Sequence, residues 1–119
     1  MIKLPKILVF GYVMGASENT GADRRVYLNV VRDTTNIGIG DGAGSRLPVH
    51  CSGYSNGGAN ATSLPFSVLD SPSSTSAITY KVQIRDDTDG VCVNYAPSDS
   101  DNDTYPRGGS TITVMEIEG

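Results

Sequence analysis

The chain has one histidine, two cysteines and no segment that repeats apolar residues at helical spacing over three turns. Each scarcity closes off a class of function. Without helical periodicity, little or no helix is expected. With only His50, any Ser-His-Asp or Cys-His arrangement must use that residue, a lone histidine in a loop. The two cysteines, Cys51 and Cys92, are too few for a disulfide framework and lack the paired spacing of a zinc site. They are expected to be free thiols, with Cys92 a small buried side chain inside a strand. Nine basic residues against thirteen acidic ones give a net charge of −4 and a pI near 4.7. The basic footprint needed for DNA or RNA is therefore missing.

No apolar run is long enough to span a bilayer as a helix. The basic start at Lys3 and Lys6, followed by the apolar residues 7–16, superficially matches a secretory leader. Gly11, Tyr12 and Gly15 interrupt it, however, and a β-strand is the expected structure in a chain that keeps Met1. Without export, the sequons Asn60-Ala61-Thr62 and Asn102-Asp103-Thr104 are read as polar loops rather than glycan acceptors.

What the chain does contain is 14 glycines, 6 prolines and several short β-branched and aromatic runs. Strands are expected over residues 6–14, 25–33, 36–41, 63–70, 76–86, 90–96 and 110–118. In the first, Ile7, Val9 and Val13 oppose Leu8, Phe10, Tyr12 and Met14, so both faces need cover. In the second, Val26, Leu28 and Val30 oppose Tyr27, Asn29 and Val31. Thr34-Thr35-Asn36 is read as the hairpin turn that follows. The clearest alternation places Ile78, Tyr80, Val82 and Ile84 on a core face and Thr79, Lys81, Gln83 and Arg85 on a polar one. At the C-terminal end Ile112 and Val114 oppose Met115 and Ile117. Seven to eight short strands separated by turn residues indicate one all-β domain over residues 1–119, an antiparallel β-sandwich of jelly-roll type.

Few constellations suggest chemistry. The run 38–44 is glycine-rich, but no Lys-Ser/Thr follows and no helix opens after it, so it is read as a strand-to-loop passage rather than a phosphate cradle. Asp99, Asp101 and Asp103 alternate as calcium ligands can. The sixth position is Thr104 instead of Gly and the twelfth is Ser110 instead of Glu, which favours a solvated acidic loop. Asp86, Asp87 and Asp89 are read as turn formers. No enzyme activity, cofactor or resident metal is expected.

Two longer runs carry a resemblance: Leu69-Asp70-Ser71-Pro72-Ser73-Ser74-Thr75-Ser76-Ala77-Ile78-Thr79-Tyr80-Lys81-Val82-Gln83 and Ser110-Thr111-Ile112-Thr113-Val114-Met115-Glu116-Ile117. With Lys6-Ile7-Leu8-Val9, they resemble a β-domain of tail-fibre and other virion proteins of tailed bacteriophages. The resemblance implies a sandwich shaped like trimeric tumour-necrosis-factor and C1q-type heads, made in the bacterial cytoplasm and located on the virion. Such domains usually carry more β-structure before the Lys-Ile-Leu-Val strand. With only residues 1–5 there, a surface knob that decorates or cements the capsid is the expected role. A tail-fibre tip, or a receptor- or glycan-binding module using Tyr54, Asn56, Asp101 and Tyr105, is the alternative. Partners would be other virion proteins of capsid or tail, or a host-surface glycan. The doubly apolar strands make Leu8, Phe10, Tyr12, Met14, Met115 and Ile117 the candidate interface of a homotrimer.

Overall fold

The computed structural model describes residues 3–21, 24–55, 60–87 and 89–118. These form eight strands in two antiparallel sheets packed as a β-sandwich. The strands are β1 (Lys6–Ser17), β2 (Arg24–Arg32), β3 (Thr35–Ile37), β4 (Cys51–Ser55), β5 (Thr62–Asp70), β6 (Tyr80–Asp86), β7 (Val91–Val93) and β8 (Thr111–Ile117).

β1 is the spine of the first sheet. β5 pairs with one of its edges, from Ile7↔Asp70 to Gly15↔Thr62. On the other edge β8 covers Lys6 to Tyr12 and β7 covers Gly15 to Ser17, end to end. β2 plays the same part in the second sheet, with β6 along one edge and β3 and β4 end to end along the other. The period-two pattern decides which faces meet. Val9, Leu64 and Phe66 from one sheet pack against Val26, Leu28, Val30 and Ile37 from the other. Val9, Val26, Leu28, Val30 and Leu64 are completely or almost completely buried, each contributing roughly 1.5–3 kcal/mol by leaving water.

Gly11 is required where it stands. It lies in the middle of β1 with φ 154°, and a Cβ there would collide with the Thr111 carbonyl oxygen of β8. At one end of the sandwich a polar clamp joins the sheets. Arg32 Nη1 of β2 lies 2.6 Å from Asp70 Oδ1 of β5, and the Tyr80 hydroxyl of β6 donates to Asp70 Oδ2 at 2.7 Å.

Most expected strands are present, with shifted limits. The hairpin turn sits one residue earlier than expected, at Asp33 and Thr34, with Asp33 in the left-handed region at φ 53°. The strand expected over 36–41 ends at Ile37, because Gly38 at φ 61° turns the chain out of the sheet. Residues 38–50 are not the simple passage that the glycine run suggested. They form a projecting hairpin arm, closed by Gly40 N–H to the Val49 carbonyl at 3.1 Å and by a bridge between Ala43 and Arg46. The arm returns at His50, whose N–H bonds the Leu28 carbonyl at 3.1 Å. β4 was not expected at all. β6 alternates as read: Tyr80, Val82 and Ile84 pack against the core while Lys81, Gln83 and Arg85 are exposed.

Candidate subunit-docking face

The two sheets turn different chemistry outward. On the outer face of the β2 sheet stand Arg25, Tyr27, Asn29, Lys81, Gln83 and Arg85, with the Arg85 guanidinium 5.7 Å from the centre of the Tyr27 ring. On the outer face of the β1 sheet, pairing sets Leu8 beside Leu69 and Met115, Phe10 beside Thr113, Tyr12 beside Pro65, and Lys6 beside Ile117. All six residues read from the sequence as an interface, Leu8, Phe10, Tyr12, Met14, Met115 and Ile117, therefore share one face. Leu69 extends it. Tyr12 is 41% exposed, Met115 50% and Leu69 54%. Ser63, Ser67, Thr111 and Thr113 flank the row, so its apolar residues run along β1 and widen at Leu69 and Met115, a candidate interaction surface.

The chain covers only one end of that face. The loop 94–110 is tied to β1 by Asn94 N–H to the Met14 carbonyl at 2.8 Å and by Met14 N–H to Ser110 Oγ at 3.1 Å. There Ala16, Cys92 and Ala96 are buried. Beyond Met14, Tyr12 is exposed and Phe10 and Leu8 are half-buried.

β8 is unusual in both its faces and its edge. All seven residues are exposed, including Ile112 and Val114, which share the inner face with Val9. The sheets separate on this side, leaving an open cleft between β8 and β6. One part, about 600 Å³, is bordered by Ile7, Ile78, Tyr80, Val114 and Glu116. A second part, about 360 Å³, is bordered by Val13, Tyr80, Val82 and Ile112.

The opposite edge, beyond β5, is finished by side chains. Pro65 supplies no N–H, its carbonyl accepts the Cys51 thiol at 3.3 Å, and the Ser67 N–H donates to His50 Nε2 at 3.3 Å. His50 Nδ1 lies 2.7 Å from the Gly38 carbonyl, to which it donates. His50 is thus a pin between arm and sheet, and both its nitrogens are occupied.

The other candidates are scattered. Asp99 makes a two-pronged ion pair with Arg107, at 2.7 and 3.1 Å, which holds its carboxyl below the usual range. Asp101 and Asp103 are exposed in the same loop, and among the described residues no three His, Cys, Asp or Glu side chains converge as metal ligands. Tyr105 and Asp101 border a shallow polar pocket of about 380 Å³. Tyr54 stands elsewhere, opposite Arg25 on the outer face of the β2 sheet. Asn56 lies outside the described residues. Cys51 and Cys92 are free, and burial pushes both thiols up.

No protein-family model, curated protein or solved structure matches the chain. The likeness to phage virion domains therefore rests on the sequence runs quoted for it. Sequence reasoning missed Asp70, whose partners Arg32 and Tyr80 lie on different strands, and it missed the exposed Ile39 and Leu47 of the arm. A signal for the arm was available: two apolar residues flanking a glycine-rich stretch that ends in Arg46-Leu47-Pro48.

Proposed function

We propose that this chain is a non-enzymatic structural protein of a bacteriophage virion, a surface knob that decorates or cements the capsid as a homotrimer. The observation that supports assembly is the shared outer face of the β1 sheet, on which Tyr12, Met115 and Ile117 are exposed and Leu8, Phe10 and Met14 half-buried. The number three and the virion location come from the resemblance to fibre-type domains. A closed ring about a threefold axis would bury one face per copy without open-ended growth. Light scattering on the purified chain tests the assembly, with three times the 12.5 kDa chain mass expected. A stable monomer at micromolar concentration overturns it. Labelling purified particles with an antibody to the chain tests the location, and particles without the protein would refute that part. The fibre-tip or glycan-binding alternative draws on the polar pocket beside Tyr105 and Asp101. Retention of the chain on host-cell polysaccharide, lost on Tyr105→Ala, would favour it.

A further inference from the structure

Arm and cleft lie on opposite sides of the molecule. β3 and β4 flank one edge of β2 and β6 the other, so the arm 38–50 leaves on the side away from β6. His50 joins the root of the arm to β5, which is likewise across β1 from β8. The cleft opens between β6 and β8.

The two features match in chemistry. Ile39 is 42% exposed and Leu47 49%, and nothing lies within 4 Å of where a side chain would sit at Gly42 or Gly44 near the tip. The cleft carries exposed Ile112 and Val114 and half-buried Ile78, with Ser74, Thr75 and Ser76 beside them in the larger part. Charges also correspond. The arm bears Arg46 and Asp41, and the cleft is flanked by Glu116 in its larger part and Lys81 in its smaller part. Each limb of the arm has about the six residues needed to follow a seven-residue strand, some 20 Å at about 3.3 Å per residue.

The opposite charges of arm and cleft, carried by the same chain, point to a second copy as occupant, and the surface area is sufficient for it. The chain exposes 7225 Å², whereas a compact monomer of its mass exposes about 6,200 Å². Its radius of gyration is 16.4 Å, against about 13.5 Å for a compact chain of this length. The excess, about 1,000 Å², is comparable to the roughly 800 Å² per partner of a standard stable interface.

We infer that the hairpin arm of one copy inserts its Ile39 and Leu47 into the β6–β8 cleft of the next copy, with Arg46 toward Glu116. This inference rests on the reading that the chain assembles with itself, and it specifies how. The contact is heterologous, one surface meeting a different one, so a ring closes only when every arm finds a cleft.

Mixing variants tests it. Ile39→Asp/Leu47→Asp alters only exposed arm residues, and Val114→Glu alters one exposed cleft residue. Each should run as a monomer by light scattering while keeping the wild-type circular dichroism spectrum. An equimolar mixture pairs intact clefts with intact arms and should give twice the chain mass and no larger ring. Arg46→Glu should weaken assembly at least tenfold, and adding Glu116→Arg should restore it. An arm variant that keeps the wild-type mass overturns the inference, as does a mixture that stays monomeric or a charge swap without rescue. If the arm variant stays trimeric while Leu8→Asp/Phe10→Asp is monomeric, the arm contact is refuted and the assembly reading stands. A monomeric wild type refutes both.

Discussion

The two outer edges of the β1 sheet are finished in different ways. Along β5, Pro65 withholds a donor, while His50 and Cys51 occupy the backbone groups of Ser67 and Pro65. Along β8, Thr111–Ile117 has no proline, a single charge at Glu116 and exposed side chains on both faces. Edge strands that must stay alone are blunted by proline, charge or cover. One edge of this sheet is blunted and the other is bare, so the protein holds both solutions within a few strands of each other. The bare edge also borders the cleft and the apolar outer face, on the side of the molecule away from the arm.

The comparison can be broken or sharpened by substitution. The largest effect is expected next to the blunted edge. Phe66→Ala empties a core position and should cost about 3–5 kcal/mol, against less than about 1 kcal/mol for Val114→Ala at its half-open site. Equal shifts in the urea midpoints would contradict the division into a closed and an open side. His50→Ala removes both ring hydrogen bonds and should cost about 1–2 kcal/mol, read in the same titration. A third test uses alkali. Burial first, then the bond to Asp70, raises the Tyr80 phenol well above its ordinary value of 10. The folded state holds that proton more tightly than the unfolded chain does, so the stability it brings is complete below pH 10 and is lost as pH rises beyond it. Absorbance at 295 nm should show the last phenol titrating together with unfolding, and Tyr80→Phe should remove that step. The smallest stability effect is expected at the bare edge, where Thr113→Lys should shift the midpoint by no more than about 0.5 kcal/mol yet lower the assembled mass.

Much of this was legible in the sequence because it is written locally. The two-sided β1 strand, the alternation of β6 and the split faces of β8 each follow from period two within one segment, and all six interface candidates fell on one face. What was not legible depends on distant partners. Cys-Ser-Gly-Tyr-Ser has no strand signature of its own and becomes β4 only because β2 pairs with it from Arg24↔Ser55 to Leu28↔Cys51. Strand propensity measures fit to neighbours more than intrinsic preference. The Asp70 clamp joins residues 38 positions apart, and the His50 pin depends on where Gly38 and Ser67 arrive. Neither distance is readable from spacing.

The placement of β7 and β8 end to end on β1 has a consequence in time. The loop between them is fastened at Met14 at both its ends, through Asn94 and Ser110, and no residue of β8 belongs to the central apolar cluster. β8 is therefore a latch with a fixed hinge: it can lift from β1 by giving up its backbone bonds and the contacts of its half-covered side chains, without opening the central cluster. Its amide protons should exchange through that partial opening, at a free energy well below the global one, while the β1 amides paired to β5 wait for complete unfolding. The same order holds in synthesis, where the strands that supply the central apolar cluster have all emerged before β8.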